Sequence, residues 1–375
     1  MATIEHIYID RAVTGQPQVT DIVKRLNIRS SVIDHPDELY DKIRSSQDPI
    51  AAGKKVLYLT ANRGGFIRKC PGTRNYTCCD YMILHIGTFC TMDCAYCILQ
   101  SYFHPPVLQY FVNHQKMFAE IDEFLAAGHY RRIGTGEYTD SMIWELWTDL
   151  SQKLIPRFGA QSHAVLELKT KTTFVHHIQG LSHNRRTILA WSVNTPLIIR
   201  YNERGTASLD ARIDAAAQCQ KWGYPLAFHF DPMVDYEGCL DDYRGVVDKI
   251  FSRIHPENIV WISLGTLRFM PDLKAVIQSR FPESKMIYGE LVPGMDGKSR
   301  YLQQIRIDIY RAVLSAIRDY AADVTVYFCM ENEHVWQKVF GFTTADCGGL
   351  LHMLDQSAIT ICRLDPDPLP NPKCQ

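Results

Sequence analysis

Twelve cysteines stand in this 375-residue chain, and Cys70, Cys78, Cys79, Cys90, Cys94 and Cys97 crowd between positions 70 and 97. The last three form a C-x3-C-x2-C run inside GTFCTMDCAYCILQ (87–100). Thiolates suit iron–sulfur clusters, and spacing this close lets one loop wrap a cube-shaped cluster. Three cysteines leave one iron of a four-iron cluster without a protein ligand. The amine and carboxylate of a small molecule can bind there. The competing reading is structural zinc, which wants four ligands, typically as two C-x2-C pairs. Cys94 and Cys97 make one such pair, and His104 or Cys90 would have to help complete the set. Cys219, Cys239, Cys329, Cys347, Cys362 and Cys374 are scattered, and each reads as a small buried hydrophobe.

Further residues sit where a ligand of that open corner would need them. Gly134, Thr135, Gly136 and Glu137 end one expected strand. Glycines before an acid let the backbone approach a ligand and aim a carboxylate at an ammonium. The plain alternative is a tight turn with a solvated Glu137. Lys171 ends LELKTKT and can pair with a carboxylate. Lys169 competes with it, because residues two apart on a strand share a face. Ser192 and Asn194 close another strand and can bond hydroxyls.

The elements that must position these residues alternate. The first 80 residues read as an α/β cap, with helices at 21–26 and 37–46, a strand at 54–60 and a loop over 62–81. Strands are then expected at 81–87, 130–136, 164–170, 187–194, 225–230 and 259–265. Helices are expected at 114–127, 143–155, 208–223, 241–254 and 272–281. Alternation of this kind means a parallel sheet with helical crossovers. The expected fold is α/β, a partial (β/α)6 TIM-like barrel spanning 81–290, with a doubly wound sheet as the other option. A C-terminal helical and strand extension (291–375) adds a helix at 301–321, a strand at 323–328, a helix at 331–340 and a loose end, PDPLPNPKCQ. The cysteine loop follows the first barrel strand, and sites in α/β folds are built at the C-terminal ends of parallel strands.

The cysteine spacing, with aromatic Tyr96 before Cys97, resembles the signature of the radical S-adenosylmethionine superfamily. That resemblance implies a 4Fe-4S cluster on Cys90, Cys94 and Cys97. Its open iron would chelate S-adenosylmethionine, which is cleaved to a 5′-deoxyadenosyl radical. It also implies that Gly136 and Glu137 receive the cofactor's amino group, Lys171 its carboxylate, and Ser192 and Asn194 its ribose. CAYCILQSYF, TGEYTDS, TKTTFVHH, SVNTP and SLDARIDAAAQCQKWGYPLAFHFDPM together resemble the spore photoproduct lyase family over most of residues 80–275. The implied function is repair of a UV thymine dimer in DNA, in which a cysteine returns a hydrogen atom to the substrate. One departure matters. The family's donor cysteine lies just after the second strand, where this chain has Glu137, and no cysteine occurs between Cys97 and Cys219. Cys79 is the expected substitute, with Cys78 beside it and Tyr81 or Tyr96 relaying the radical. The alternative is that Cys78 and Cys79 are buried structural thiols.

Charge neither demands nor forbids that substrate. Forty Lys and Arg face 41 Asp and Glu, a formal net charge of −1, so DNA must be met by a local patch. Arg63, Arg68, Lys69 and Arg74 form one candidate set. Lys298, Arg300 and Tyr301, in a turn-rich segment suited to a hairpin, form another, and Arg268 is a third. For each arginine a solvated surface role is the simpler reading. A reductant protein such as ferredoxin or flavodoxin is expected as a partner. No membrane span and no secretory signal are evident, which points to the cytoplasm. Two other functions stay open: a radical enzyme acting on another nucleic-acid lesion, a small molecule or a peptide, and a zinc-stabilised nucleic-acid binding module.

Overall fold

The computed structural model describes residues 2–72, 76–128 and 130–365. Arg74 and the tail 366–375, with Cys374, lie outside the described residues. The chain opens with β1 (His6–Asp10), α1 (Pro17–Leu26), β2 (Ser30–Ile33), α2 (Asp37–Arg44), α3 (Pro49–Lys54) and β3 (Val56–Thr60). Short segments follow: β4 (Ile67–Lys69), β5 (Met82–Leu84), β6 (Gly87–Thr88), β7 (Asp93–Cys94), α4 (Leu99–Tyr102) and β8 (Leu108–Phe111). A five-stranded sheet in the order β2-β1-β3-β8-β6 joins this region, parallel except where β6 runs against β8. The strand expected from residue 54 begins only at Val56. Lys54 is the last residue of α3 and is buried, turned inward toward the cysteine loop.

The alternating region runs α5 (His114–Ala126), β9 (Arg131–Gly134), α6 (Leu150–Gly159), β10 (Ala164–Thr170), β11 (Thr187–Ser192), α7 (Pro196–Asn202), β12 (Glu203–Arg204), α8 (Leu209–Lys221), β13 (Leu226–Met233), α9 (Cys239–Phe251) and β14 (Ile259–Thr266). The apolar strands are covered on their outer side by helices, as all-parallel sheets require. Helix α8 starts where Ser208 accepts a hydrogen bond from the Ala211 amide at 3.3 Å and stops just before Gly223, whose φ is +87°. The helix expected over 143–155 is divided. Thr148 Oγ1 donates to Trp144 O at 3.0 Å and accepts from the Leu150 amide at 3.4 Å, so a 3-10 turn at Ile143–Leu146 precedes α6.

The chain closes with β15 (Arg268–Phe269), α10 (Pro271–Arg280), β16 (Leu291–Pro293), β17 (Ser299–Tyr301), α11 (Gln303–Tyr320), β18 (Val326–Phe328), α12 (Glu333–Phe340) and α13 (Leu350–Cys362). The main sheet is a curled half-barrel in the order β18-β14-β13-β11-β10-β9-β5-β4. All its neighbours are parallel except β4 with β5. The six expected strands are its uninterrupted middle. The C-terminal extension contributes β18 to one edge, and Phe328 packs outward against Tyr310 and Trp336. The segment around 291–301 forms the expected hairpin, with β15 added to its side.

Candidate active site

The cysteine loop is held from three directions. Gly87 comes so close to β8 that an added Cβ would lie 2.4 Å from Gln109 O. Phe89 adopts φ 71°, a conformation rare for an aromatic residue. Its amide donates to Tyr138 O at 2.8 Å, and the Lys54 ammonium sits 4.3 Å from its ring centroid. Lys54 Nζ also donates to Cys90 O at 3.0 Å and to Met92 O. From the other side Arg280 grips Asp93 at 3.0 and 3.1 Å, while Gln100 Nε2 donates to Cys94 O and Ala95 O at 3.0 Å each. Antiparallel pairing of β7 with β12 fixes Cys94 opposite Glu203.

Cys90, Cys94 and Cys97 lie within electrostatic reach of one another. Burial pushes the Cys90 thiol up to about 12, helped by Asp140 and Cys97 and opposed by Lys54, and burial likewise drives Cys94 well above the thiol range. Only a bound cation would make thiolates of these groups at neutral pH. Thr91 Oγ1, in the same loop, is buried without a hydrogen-bond partner. Among the described residues no three His, Cys, Asp or Glu side chains converge as a single metal ion requires. A cube-shaped cluster is ligated at three separate irons, which three thiols of one loop can supply.

Lys171 lies beside this loop. Its ammonium is 5.7 Å from the centroid of the Tyr96 ring and within reach of Cys94 and Glu203. Tyr96 donates to Glu203 Oε1. Burial works against ionisation of Glu203, but Arg212, Lys171 and Tyr96 hold its carboxyl below the usual range. Asp140 anchors the end of β10, accepting from the Lys171 amide and the Thr170 hydroxyl at 2.8 Å each. Gly136 packs against Lys169, whose Cβ would be 2.9 Å from an added Cβ. Ser192 is buried, and its carbonyl accepts from Arg212 at 2.9 Å. The Asn194 side chain is engaged within the fold: it donates to Pro232 O at 2.8 Å and accepts from Tyr243 at 2.9 Å and the Thr195 amide at 3.0 Å.

A second group of polar residues lies along the same strands, away from the cysteine loop. Glu137 faces Lys169, Cys70, Tyr81 and Cys329. Tyr81 is inserted over β9, and an added Cβ at Gly134 would lie 1.7 Å from its hydroxyl. Below it Glu167 Oε1 is 2.9 Å from His229 Nε2 and 3.2 Å from Trp261 Nε1. Burial alone would raise the Glu167 carboxyl, yet His229, Lys169 and Tyr81 hold it at about 2. Sequence reasoning passed over this buried carboxylate. The available signal was LELKTKT, in which Glu167, Lys169 and Lys171 share one face of an otherwise apolar strand. Cys79 and Cys78 lie just before β5. A hydrogen bond from Cys79 holds the Cys78 thiol down to about 6, and the Cys79 carbonyl accepts from Arg132.

The cations expected for phosphates are mostly paired. Arg268 holds Asp231 at 2.9 and 3.1 Å. Arg300 is buried, binds Asp296 at 2.7 Å and lies 4.1 Å over the ring of Tyr76. Lys298 is 3.4 Å from the same aspartate. Tyr301 is fully buried, its hydroxyl accepting from the Asp235 amide at 3.1 Å. Arg63 and Lys69 are exposed, and Arg68 bonds Gly65 O at 2.9 Å. Met295 at the hairpin tip, 56% exposed, is an apolar group that sequence reasoning did not single out.

A family model described as spore photoproduct lyase matches residues 74–310, more than half of the chain. The chain belongs to the spore photoproduct lyase family. The Bacillus subtilis spore photoproduct lyase is 29% identical over 206 residues, which are 53% of this chain and 60% of that protein. The Clostridium acetobutylicum family member is 25% identical over 244 residues, 62% of this chain and 68% of that protein. The match therefore spans about three fifths of the Bacillus protein's length. Solved spore photoproduct lyases share the fold. A doubly substituted form with bound AdoMet and dinucleoside spore photoproduct aligns at TM-score 0.76 and 21% identity, covering 88% of this chain and 99% of that one. A form complexed with dinucleoside spore photoproduct also aligns at 0.76.

Proposed function

We propose that this chain is a radical S-adenosylmethionine lyase that splits the spore photoproduct thymine dimer of UV-damaged DNA back to two thymines. The observation that carries the reading is the trio Cys90, Cys94 and Cys97 on one clamped loop beside the Lys171 side chain, in a chain of this family. A 4Fe-4S cluster with S-adenosylmethionine would supply, when bound, a carbon radical able to take hydrogen from the lesion. The rest of the chemistry belongs to the chain's own residues. Lys54 places positive charge under the loop and fixes the Cys90 carbonyl. Lys171 offers an ammonium to the cofactor carboxylate, whereas Glu137, expected with Gly136 to receive the amino group, faces Lys169 and Cys329 instead. Ser192 and Asn194 shape the ribose side.

A dinucleotide lesion has to leave the duplex to reach such a site. Met295 at the hairpin tip would serve as the apolar wedge, with Lys298, Arg300 and Arg268 behind it and Tyr301 bracing the hairpin from within. Exposed Arg63 and Lys69 would meet flanking phosphates. A one-electron carrier of the ferredoxin or flavodoxin class would be the reductant. The reading puts the chain in the cytoplasm, where thiols stay reduced; among the described residues no helix is long and apolar enough to cross a membrane. Anaerobic incubation with reductant, S-adenosylmethionine and dinucleoside spore photoproduct tests it. Release of thymidylyl-thymidine is expected. Formation of 5′-deoxyadenosine without that product would assign the chain another substrate.

A further inference from the structure

Cleaving a carbon–carbon link by a radical route leaves an unpaired electron on the product carbon. Closing it takes a hydrogen atom from a bond weaker than the C–H bond being made, and a thiol S–H meets that need. Glu137 carries no such hydrogen, so the thiol must come from elsewhere. Cys79 is the upstream candidate, but its thiol is hydrogen-bonded to the exposed Cys78.

A different thiol faces Glu137. Cys329 follows the last residue of β18, and its amide is tied to Leu264 O of β14 at 3.0 Å. Phe328 points outward, so Cys329 points into the half-barrel. Its sulfur accepts from Arg268 Nη2 at 3.3 Å, and that guanidinium is fixed in turn by two bonds to Asp231. Lys169 from β10 and Glu137 from the end of β9 complete the charged groups around it. Gly265 keeps this corner open, because an added Cβ there would come within 2.9 Å of both Arg268 and Asp231. A cysteine filling an apolar core would not lie among four charged side chains.

We propose that Cys329 is the catalytic thiol that gives its hydrogen atom to the substrate radical, and that Cys79 reloads it. The inference rests on the lyase reading above. In the first step the Cys329 S–H bond breaks, one C–H bond forms on the product, and a thiyl radical remains on Cys329. Cys79 then returns a hydrogen atom to Cys329. Tyr327, two residues before Cys329, neighbours both thiols. The Cys79 thiyl is closed by one electron from the one-electron reductant that serves the enzyme and one proton from water. Burial pushes the Cys329 thiol up to about 12, opposed by Arg268 and Lys169 and reinforced by Asp231 and Glu137. It therefore keeps its proton at neutral pH and always has an atom to give.

The test is a deuterium-transfer experiment on the reconstituted holoenzyme with dinucleoside spore photoproduct in D2O. Thiol hydrogens exchange with solvent, so the native enzyme is expected to deliver one solvent deuterium into the repaired dinucleoside. Cys329→Ala is expected to keep 5′-deoxyadenosine formation while losing at least tenfold in repaired product and losing the deuterium. Cys79→Ala is expected to keep a labelled first turnover and fail in later ones. Calorimetric binding of the dinucleoside to Cys329→Ala and Cys329→Ser, unchanged from native, separates a lost donor from a damaged pocket. Labelled product from Cys329→Ala at the native rate overturns the assignment, as does a Cys79→Ala variant that loses the label in its first turnover. A native enzyme that cleaves the cofactor but releases no thymidylyl-thymidine overturns the lyase reading itself, and this inference with it.

Discussion

Glu167 shows how much a single buried charge can govern here. Its carboxylate is nearly enclosed, yet Lys169, His229 and Tyr81 keep it ionised down to about pH 2. Because the folded group binds its proton later than the usual carboxyl at 4.5, the stability it contributes is complete above about pH 4.5 and is lost as pH falls toward about 2. Replacing Glu167 with Gln removes one partner of a buried pair and is expected to cost roughly 3–5 kcal/mol at neutral pH. Urea unfolding followed from pH 7 to pH 3 checks this. The variant should be weaker at neutral pH and lose less on acidification than the native chain. Parallel curves for the two would mean that the carboxylate is not held by its neighbours. Lys169 and Lys171 share a strand face with Glu167 but meet different surroundings: Lys169 faces the carboxylates of Glu137 and Asp231, and Lys171 faces Cys94 and Glu203. Spacing alone tells that both point inward. It does not tell which one meets the cluster loop.

At the level of elements, the glycines that matter are those where strands carry something across them. Gly134 in β9 leaves the space that the Tyr81 ring fills, and an added methyl would strike its hydroxyl and the Glu167 carbonyl, the latter at 2.7 Å. Gly134→Ala is expected to lower stability by about 1–3 kcal/mol through overpacking and to shift Tyr81. Thermal unfolding, together with the loss of repair activity, measures it; an unchanged melting temperature would place Tyr81 elsewhere. Six half-barrel strands were readable because each is an apolar run between turn signals, and all but β10 lead into a helix of regular period. Three strands of the five-stranded sheet were not, for physical reasons, and β4 formed inside the expected loop. β1 carries His6 and Asp10 among its apolar residues, β2 has only one buried position, and β8 is four residues long. The inward turn of Lys54 was equally hidden, since its place is set by carbonyls of Cys90 and Met92 more than 35 residues away. The cysteine loop was legible as a candidate site, because its spacing is local. The Glu167 pair and the Cys329 corner join strands far apart in the chain and emerge only when the sheet curls.

Across the whole molecule, the C-terminal extension completes the barrel edge and braces the cap. Glu331, two residues beyond Cys329, is fully buried and binds Arg306 at 2.9 and 3.3 Å and Tyr310 at 2.9 Å, while its carbonyl accepts from the Thr77 amide at 3.1 Å. One residue thus links α11, the strand end that carries Cys329 and the segment that carries Cys78 and Cys79. Glu331→Ala strands the Arg306 charge in the interior. It is expected to destabilise by roughly 3–5 kcal/mol and to impair product formation more than cofactor cleavage, because the thiols lie on its side of the site. Urea unfolding and the ratio of thymidylyl-thymidine to 5′-deoxyadenosine read the two effects separately.

All of these effects presuppose that three thiols on one loop carry a four-iron cluster with one corner left for a small-molecule ligand. The most direct measurement is the metal content and reduced-state electron paramagnetic resonance spectrum of anaerobically prepared chain, alongside Cys94→Ala. The account predicts about four irons per native chain, a spectrum that changes when S-adenosylmethionine is added, and no cluster in the variant. Stoichiometric zinc without iron in the native chain, or a Cys94→Ala variant with an intact cluster, would contradict it.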